Sequence, residues 1–228
     1  MQISALLKEF YQRKDELFSL ICHFNAAPAE YIHPSHLASA IPKAVFDALL
    51  ASERGKTKLN ELVLQKFKLK GAFHTDFRPL HLRLALLDPQ TLANLVLHAG
   101  AIYYSKNIVQ VVEKKALLDI KEKIGEAIYT FAVKKAPLFN RLKPQITTLS
   151  PNPSNLYSGI IAAGQRMLEH LFSSEPASIQ QRLQLKLPAD YSWSFTRSGT
   201  EAERTNIYSF LHRLLIKEIN PNWQLCFT

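Results

Sequence analysis

Glycine is scarce in this chain: 7 residues among 228, too few for the many tight turns of a barrel, a sandwich or a glycine-rich cofactor fold. Cysteine is scarcer. Cys22 and Cys226 stand near opposite ends, with no CxxC pair and no histidine or carboxylate spaced to complete a metal shell. That excludes a disulfide scaffold and a zinc ribbon and fits a reducing compartment. A bridge between them would require Cα atoms within about 7 Å, and both are read as thiols. Long apolar runs are also missing. The most apolar windows, 84–104 and 156–172, are interrupted by Asp88, Asn94 and His98, and by Gln165, Arg166, Glu169 and His170, so neither reaches the roughly 20 apolar residues a spanning helix needs. The N-terminal stretch is charged from Lys8 onward and lacks the apolar core and cleavage site of a signal peptide. The expectation is a soluble protein that reaches any membrane through a partner.

Catalytic signatures are absent as well. There is no GxSxG, P-loop, GxGxxG or HExxH pattern. The carboxylate pairs Asp15 with Glu16 and Glu201 with Glu203 fall on helix surfaces or first turns, where capping and the helix dipole explain them without acid-base chemistry. His33 and His36 stand three apart but have no third ligand, so neither metal nor cofactor is expected. The remaining histidines are scattered.

What is present reads as helix. Ile3, Leu6, Leu7, Phe10, Leu17 and Ile21 give an amphipathic pattern over 3–21, Val45, Phe46, Leu49 and Leu50 follow Pro42, and Leu59, Leu62, Val63 and Phe67 repeat the spacing over 57–69. Asp88 with Pro89 is a start signal for a helix to about Tyr104, and Ser105 is placed to cap a short one through Val112. The long pattern over 114–135 sets Leu117, Leu118, Ile120, Ile124, Ile128, Phe131 and Ala132 on or near one face, with Lys121 and Lys123 off it, in water. Four prolines in 137–153 forbid continuous helix and mark a candidate subdomain boundary in what is otherwise read as one domain, 1–228. Asn152 with Pro153 starts a helix to about Phe172, whose small residues Gly159, Ala162, Ala163 and Gly164 suit close packing. The alternation at the end of IQQRLQLKL leaves 183–195 open to helix or a minor β-hairpin. Ser198 with Glu201, or Thr200 with Glu203, has capping-box spacing for a last helix to about Ile219. The fold class is all-α, a compact multi-helix arrangement.

Between the first two patterns lies FNAAPAEYIHPSHL, residues 24–37. Pro28 and Pro34 push Ala27 and His33 away from the α region, so this stretch is read as a structural connector in which Phe24, Pro28, Tyr31, His33 and Pro34 set the path and Ile32 and Leu37 add anchors. The other pronounced feature is charge. The net charge is +9, concentrated in 54–70, where Arg54, Lys56, Lys58, Lys66, Lys68 and Lys70 face only Glu61, and in 106–143. Such a balance suits an acidic protein surface, an anionic lipid head or nucleic acid. The candidate partner-binding residues are Lys114, Lys115, Lys121, Lys123, Lys134 and Lys135, with Lys66, Lys68 and Lys70 as a second patch. Tyr103 and Tyr104 beside Lys106 offer a place for base stacking, but no nucleic-acid motif accompanies them.

The connector FNxxPAEYIHPSHL, together with LNELVLQKF at 59–67, LALLDPQTLANLVLHAGAIYYSKNIVQVV at 84–112 and FLHRLLIKEINP at 210–221, resembles the sorting-platform adaptor family of bacterial type III secretion, SctK (YscK, MxiK or OrgA in individual systems). The resemblance implies a non-enzymatic adaptor in the bacterial cytoplasm, peripheral to the inner membrane. It would link an SctQ-like pod protein to an SctD-like ring protein and, indirectly, to the SctL-like stator and ATPase. Two readings from other classes stand beside it: a basic helical nucleic-acid-binding module, and a small helical enzyme with a site assembled from scattered residues.

Overall fold

Several helix starts are held by the side chains that announce them. Asp88 Oδ1 accepts from Thr91 N at 2.9 Å, and Thr200 and Glu203 form a reciprocal capping box, each satisfying amides that a helix start leaves without an internal partner. The computed structural model describes residues 16–145, 155–196 and 200–227, and contains no strand among them. Residues 16–26 are helical (α1). There follow α2 (Pro28–Tyr31), α3 (Lys43–Leu50), α4 (Glu53–Lys66), α5 (Pro89–Tyr103), α6 (Ser105–Val109), α7 (Lys114–Ile124), α8 (Glu126–Lys134), α9 (Ala136–Phe139), α10 (Leu156–Phe172), α11 (Ala177–Leu185) and α12 (Glu201–Leu214). Short 3-10 turns occupy Pro34–His36, Leu80–Leu86 and Pro221–Phe227, and a π turn, Leu215–Ile219, continues α12.

The described residues divide into two compact units. The first holds the chain up to Leu92, then Glu175–Ser192 and the residues from Asn222; the second holds Ala93–Ser174 and Trp193–Pro221. The chain therefore passes between units within α5, after α10, after Ser192 and after Pro221. Of the proline-rich stretch 137–153, residues 137–145 belong to the second unit, and the remainder, with the Asn152–Pro153 start signal, lies outside the described residues.

In the first unit, Ala29, Ile32, Leu37, Phe46, Leu59, Val63, Leu69 and Leu185 form one apolar core. Ser52 caps α4 by accepting from Gly55 N at 3.1 Å, so this helix opens earlier than the 57–69 pattern predicts. In the second unit, Ala101, Ile108, Ile120, Ile124, Ile128, Ile160 and Ala163 belong to one core. Here α5 and α10 meet backbone to backbone: a Cβ on Gly100 would stand 1.8 Å from the Ile160 carbonyl oxygen, and one on Gly164 2.0 Å from that of Val96. Only glycine admits this approach.

Three expectations need correction. The pattern over 114–135 is two helices, because Gly125 adopts φ 85°, ψ 147°, a region open essentially to glycine alone; apolar spacing continues across the break and hides it. Ser105 does not cap α6. Its hydroxyl donates backward to the Ile102 carbonyl at 3.1 Å. The hairpin option over 183–195 is not realised: residues to Leu185 are α-helix and 188–196 form no strand. Leu183, Leu185 and Leu187 are buried, but so are Arg182 and Lys186, so the alternation is of chemistry, without the exposed face a half-buried strand needs.

Candidate functional site

The connector is less irregular than its prolines suggest. Pro28 opens the single turn α2, and Pro34 opens a 3-10 turn whose preceding residue, His33, is extended at φ −67°, ψ 130°. The aromatic anchors Phe24 and Tyr31 are buried. Their rings stack at 6.2 Å, and Phe77 meets Phe24 edge-on at 5.6 Å. Tyr31 Oη donates to the Phe24 carbonyl at 2.7 Å. Both connector histidines are engaged locally: His33 Nδ1 lies 2.7 Å from Ser35 Oγ and His36 Nε2 lies 2.8 Å from the Leu187 carbonyl. Among the described residues, no three His, Cys, Asp or Glu side chains are grouped to hold a metal, and Cys22 and Cys226 are free thiols.

Two cations seat the connector from the α11 side. Arg182 is 0% exposed and donates to the carbonyls of Ala72 at 2.9 Å and Ser178 at 3.3 Å, with Asn25 more distant at 3.4 Å. Lys186, 3% exposed, donates to the Ala85 and Leu87 carbonyls at 2.7 and 2.6 Å, and its ammonium stands 5.3 Å from the Phe24 ring centre and 4.9 Å from that of Tyr31. Burial draws the Lys186 amine down to about 7, with Asp88 opposing. Burial also pushes the Tyr31 phenol above its ordinary range, against the pull of Arg182. An unpaired buried cation is tolerated when carbonyls and ring faces replace water. The sequence carries both residues within QRLQLKL, where they read as the polar half of an alternation; their spacing of four, which puts them on one helical face, is the signal that was available.

The basic candidates of the second unit separate into two groups. Lys121 pairs with Glu126 at 3.0 Å and lies 4.5 Å from the Tyr129 ring centre, so it is partly covered rather than free in water. Lys123 pairs with Asp119 and Lys135 with Glu218. Lys114, Lys115 and Lys134 are exposed and form no ion pair among the described residues. Beside them stand exposed apolar side chains, Val112 at 92% and Leu138 at 75%, with Leu118 also outward. In the first unit, Lys66, Lys68 and Lys70 are exposed, and Lys66 donates to the His36 carbonyl at 3.3 Å.

These elements, from the connector to the turns after α12, lie within one long match. Residues 20–228 fit the protein family described as YOP proteins translocation protein K (YscK). The chain belongs to the YscK family. YscK is the SctK protein of type III secretion, and the match covers nearly the whole chain. No curated protein matches it significantly, and no solved structure does. The YscK match spans both units and takes in the buried cations as well as the exposed lysines. Among the described residues of this YscK-family chain, no helix is long and apolar enough to cross a membrane.

Proposed function

We propose that this type III secretion protein is a non-enzymatic adaptor of the cytoplasmic sorting platform, joining an SctQ-like pod protein to an SctD-like inner-membrane ring protein and thereby docking the SctL-like stator and ATPase. The observation that carries the reading is the family match over residues 20–228. The surface supports it: Lys114, Lys115 and Lys134 are exposed and form no ion pair among the described residues, and Val112 and Leu118 are exposed in the same stretch, a mixture suited to recognising an acidic protein face with apolar contacts inside it. The protein then sits at the inner membrane through its partners.

Affinity capture by the purified full chain tests this, using the pod protein and the cytoplasmic part of the ring protein as separate preys. Capture of both supports the adaptor. Capture of neither, with copurifying nucleic acid instead, would transfer the basic surface to the nucleic-acid reading.

A further inference from the structure

Asn206, Ser209, Phe210 and Arg213 fall at i, i+3, i+4 and i+7 of α12, so helix geometry sets them along one face. In the second unit this face lines a cleft of about 440 Å³, with Arg141 and Lys143 on the segment after α9 completing the wall. Phe210 is buried and gives it an apolar side. Among the described residues no carboxylate lines the cleft, and neither Arg141 nor Arg213 has an ion-pair partner. Lys143 lies 5.0 Å from the Tyr103 ring centre; burial and the charge of Lys106 hold its amine below the usual lysine range. On α7 and just past α8, by contrast, Lys121, Lys123 and Lys135 each have a carboxylate within 3.0 Å. Like charges gathered around a concavity without a counter-ion raise the free energy of the folded chain, and an anionic ligand relieves that repulsion.

We propose that this cleft receives an acidic segment of a partner protein, its carboxylates paired with Arg141, Lys143 and Arg213 and an adjoining apolar side chain against Phe210. Guanidinium groups suit carboxylates because they bind them through parallel N–H donors, and Asn206 and Ser209 add neutral donors for the segment's backbone. The volume is that of a pocket for a few side chains. Nucleic acid is disfavoured because Phe210 is the one aromatic residue in the described lining, whereas a single strand is held by successive bases stacked on several rings. The proposal deepens the adaptor reading, and rests on it only for which protein supplies the segment.

Fluorescence anisotropy with the full chain and a fluorescein-labelled Asp-Glu-Phe-Glu-Asp peptide tests it. The wild type is expected to bind. R141E with R213E should lose affinity by about tenfold or more at an unchanged melting temperature, while K43E with R54E, an equal charge change at two exposed residues of the first unit, should retain most of it. If the reversed pair melts early, R141Q with R213Q must show the same loss. A wild type that ignores the peptide, equal binding by the cleft variants, or preferential displacement by inorganic tripolyphosphate or oligothymidine overturns the proposal. A chain that binds the peptide through the cleft but captures neither pod nor ring protein contradicts the adaptor reading alone. One that captures both proteins equally well with and without R141E and R213E contradicts the cleft alone.

Discussion

Lys186 ties the fold to pH. Its amine titrates at about 7 in the folded chain and near 10.4 when solvated. Below about pH 7 both states carry the proton and the burial penalty is constant; between about 7 and 10 only the unfolded chain carries it, so stability rises with pH across that window. The Tyr31 and Tyr103 phenols shift the other way, upward, because both are desolvated. Above about pH 10 the unfolded chain releases those protons and stability falls. His33, His98, His170 and His212 are held below the ordinary imidazole range, chiefly by burial, so the unfolded chain takes up protons first as pH drops below about 6.5, and stability falls there too. Thermal melting from pH 5 to 11 should therefore peak on the alkaline side of neutrality, and Lys186→Met should flatten the rise above pH 7. An unchanged profile in that variant would mean the lysine stays solvated. At the connector, Phe24→Ala and Tyr31→Ala should each cost about 2–4 kcal/mol of unfolding free energy. Tyr31→Phe, which removes only the donor to the Phe24 carbonyl, should cost about 1 kcal/mol. Urea titration separates these values.

Among the elements, glycines decide where helices can go. Gly100→Ala or Gly164→Ala forces a methyl onto the backbone of the opposing helix and should destabilise by roughly 1–3 kcal/mol or more. Gly125→Ala meets no steric neighbour but retains φ 85°, so it should cost about 1–3 kcal/mol through backbone strain alone; calorimetric melting of these variants checks both. Of the small residues of α10, Gly159, Ala163 and Gly164 are buried and were legible as a packing face because they lie within two turns, whereas Ala162 faces outward. So were Asp88 and the Thr200 box, since a cap and its amide lie within one turn. Gly125 was not legible as a break, because Ile120, Ile124 and Ile128 keep helical spacing through it and one glycine is compatible with a helix interior. The start of α4 was missed because its first turn, ERGK, is polar, and only Ser52 announces it. The state of α11 depended on partners far away in sequence: the carbonyls of Ala72, Ala85 and Leu87 make burial of Arg182 and Lys186 acceptable, and no window of α11 contains them. The cleft was hidden likewise, since Arg141 and Lys143 lie roughly seventy residues before Arg213.

At the scale of the whole molecule, family membership was readable in the connector and the apolar helix motifs, whereas the surfaces for partners were not, because charge counts do not reveal which lysines already hold carboxylates. Reversing Lys121 and Lys123 would break the pairs with Glu126 and Asp119. Lys114, Lys115 and Lys134 are the cleaner probes. K114E, K115E and K134E together should leave the melting temperature within about 2 °C, since changes at exposed sites are usually within about 0.5 kcal/mol. Pod or ring binding should weaken most at low ionic strength, where screening beyond about 10 Å is least. Surface plasmon resonance across salt concentrations reads this, and wild-type binding at every salt would reduce the patch to a solvated face. Bridging itself is tested by size-exclusion chromatography with light scattering on the full chain mixed with the SctQ-like pod protein and the cytoplasmic part of the SctD-like ring protein. The account predicts one species containing all three, which separates into unlinked pod and ring proteins when the chain is left out; pod and ring proteins that displace each other from the chain, or that both elute apart from it, would contradict it.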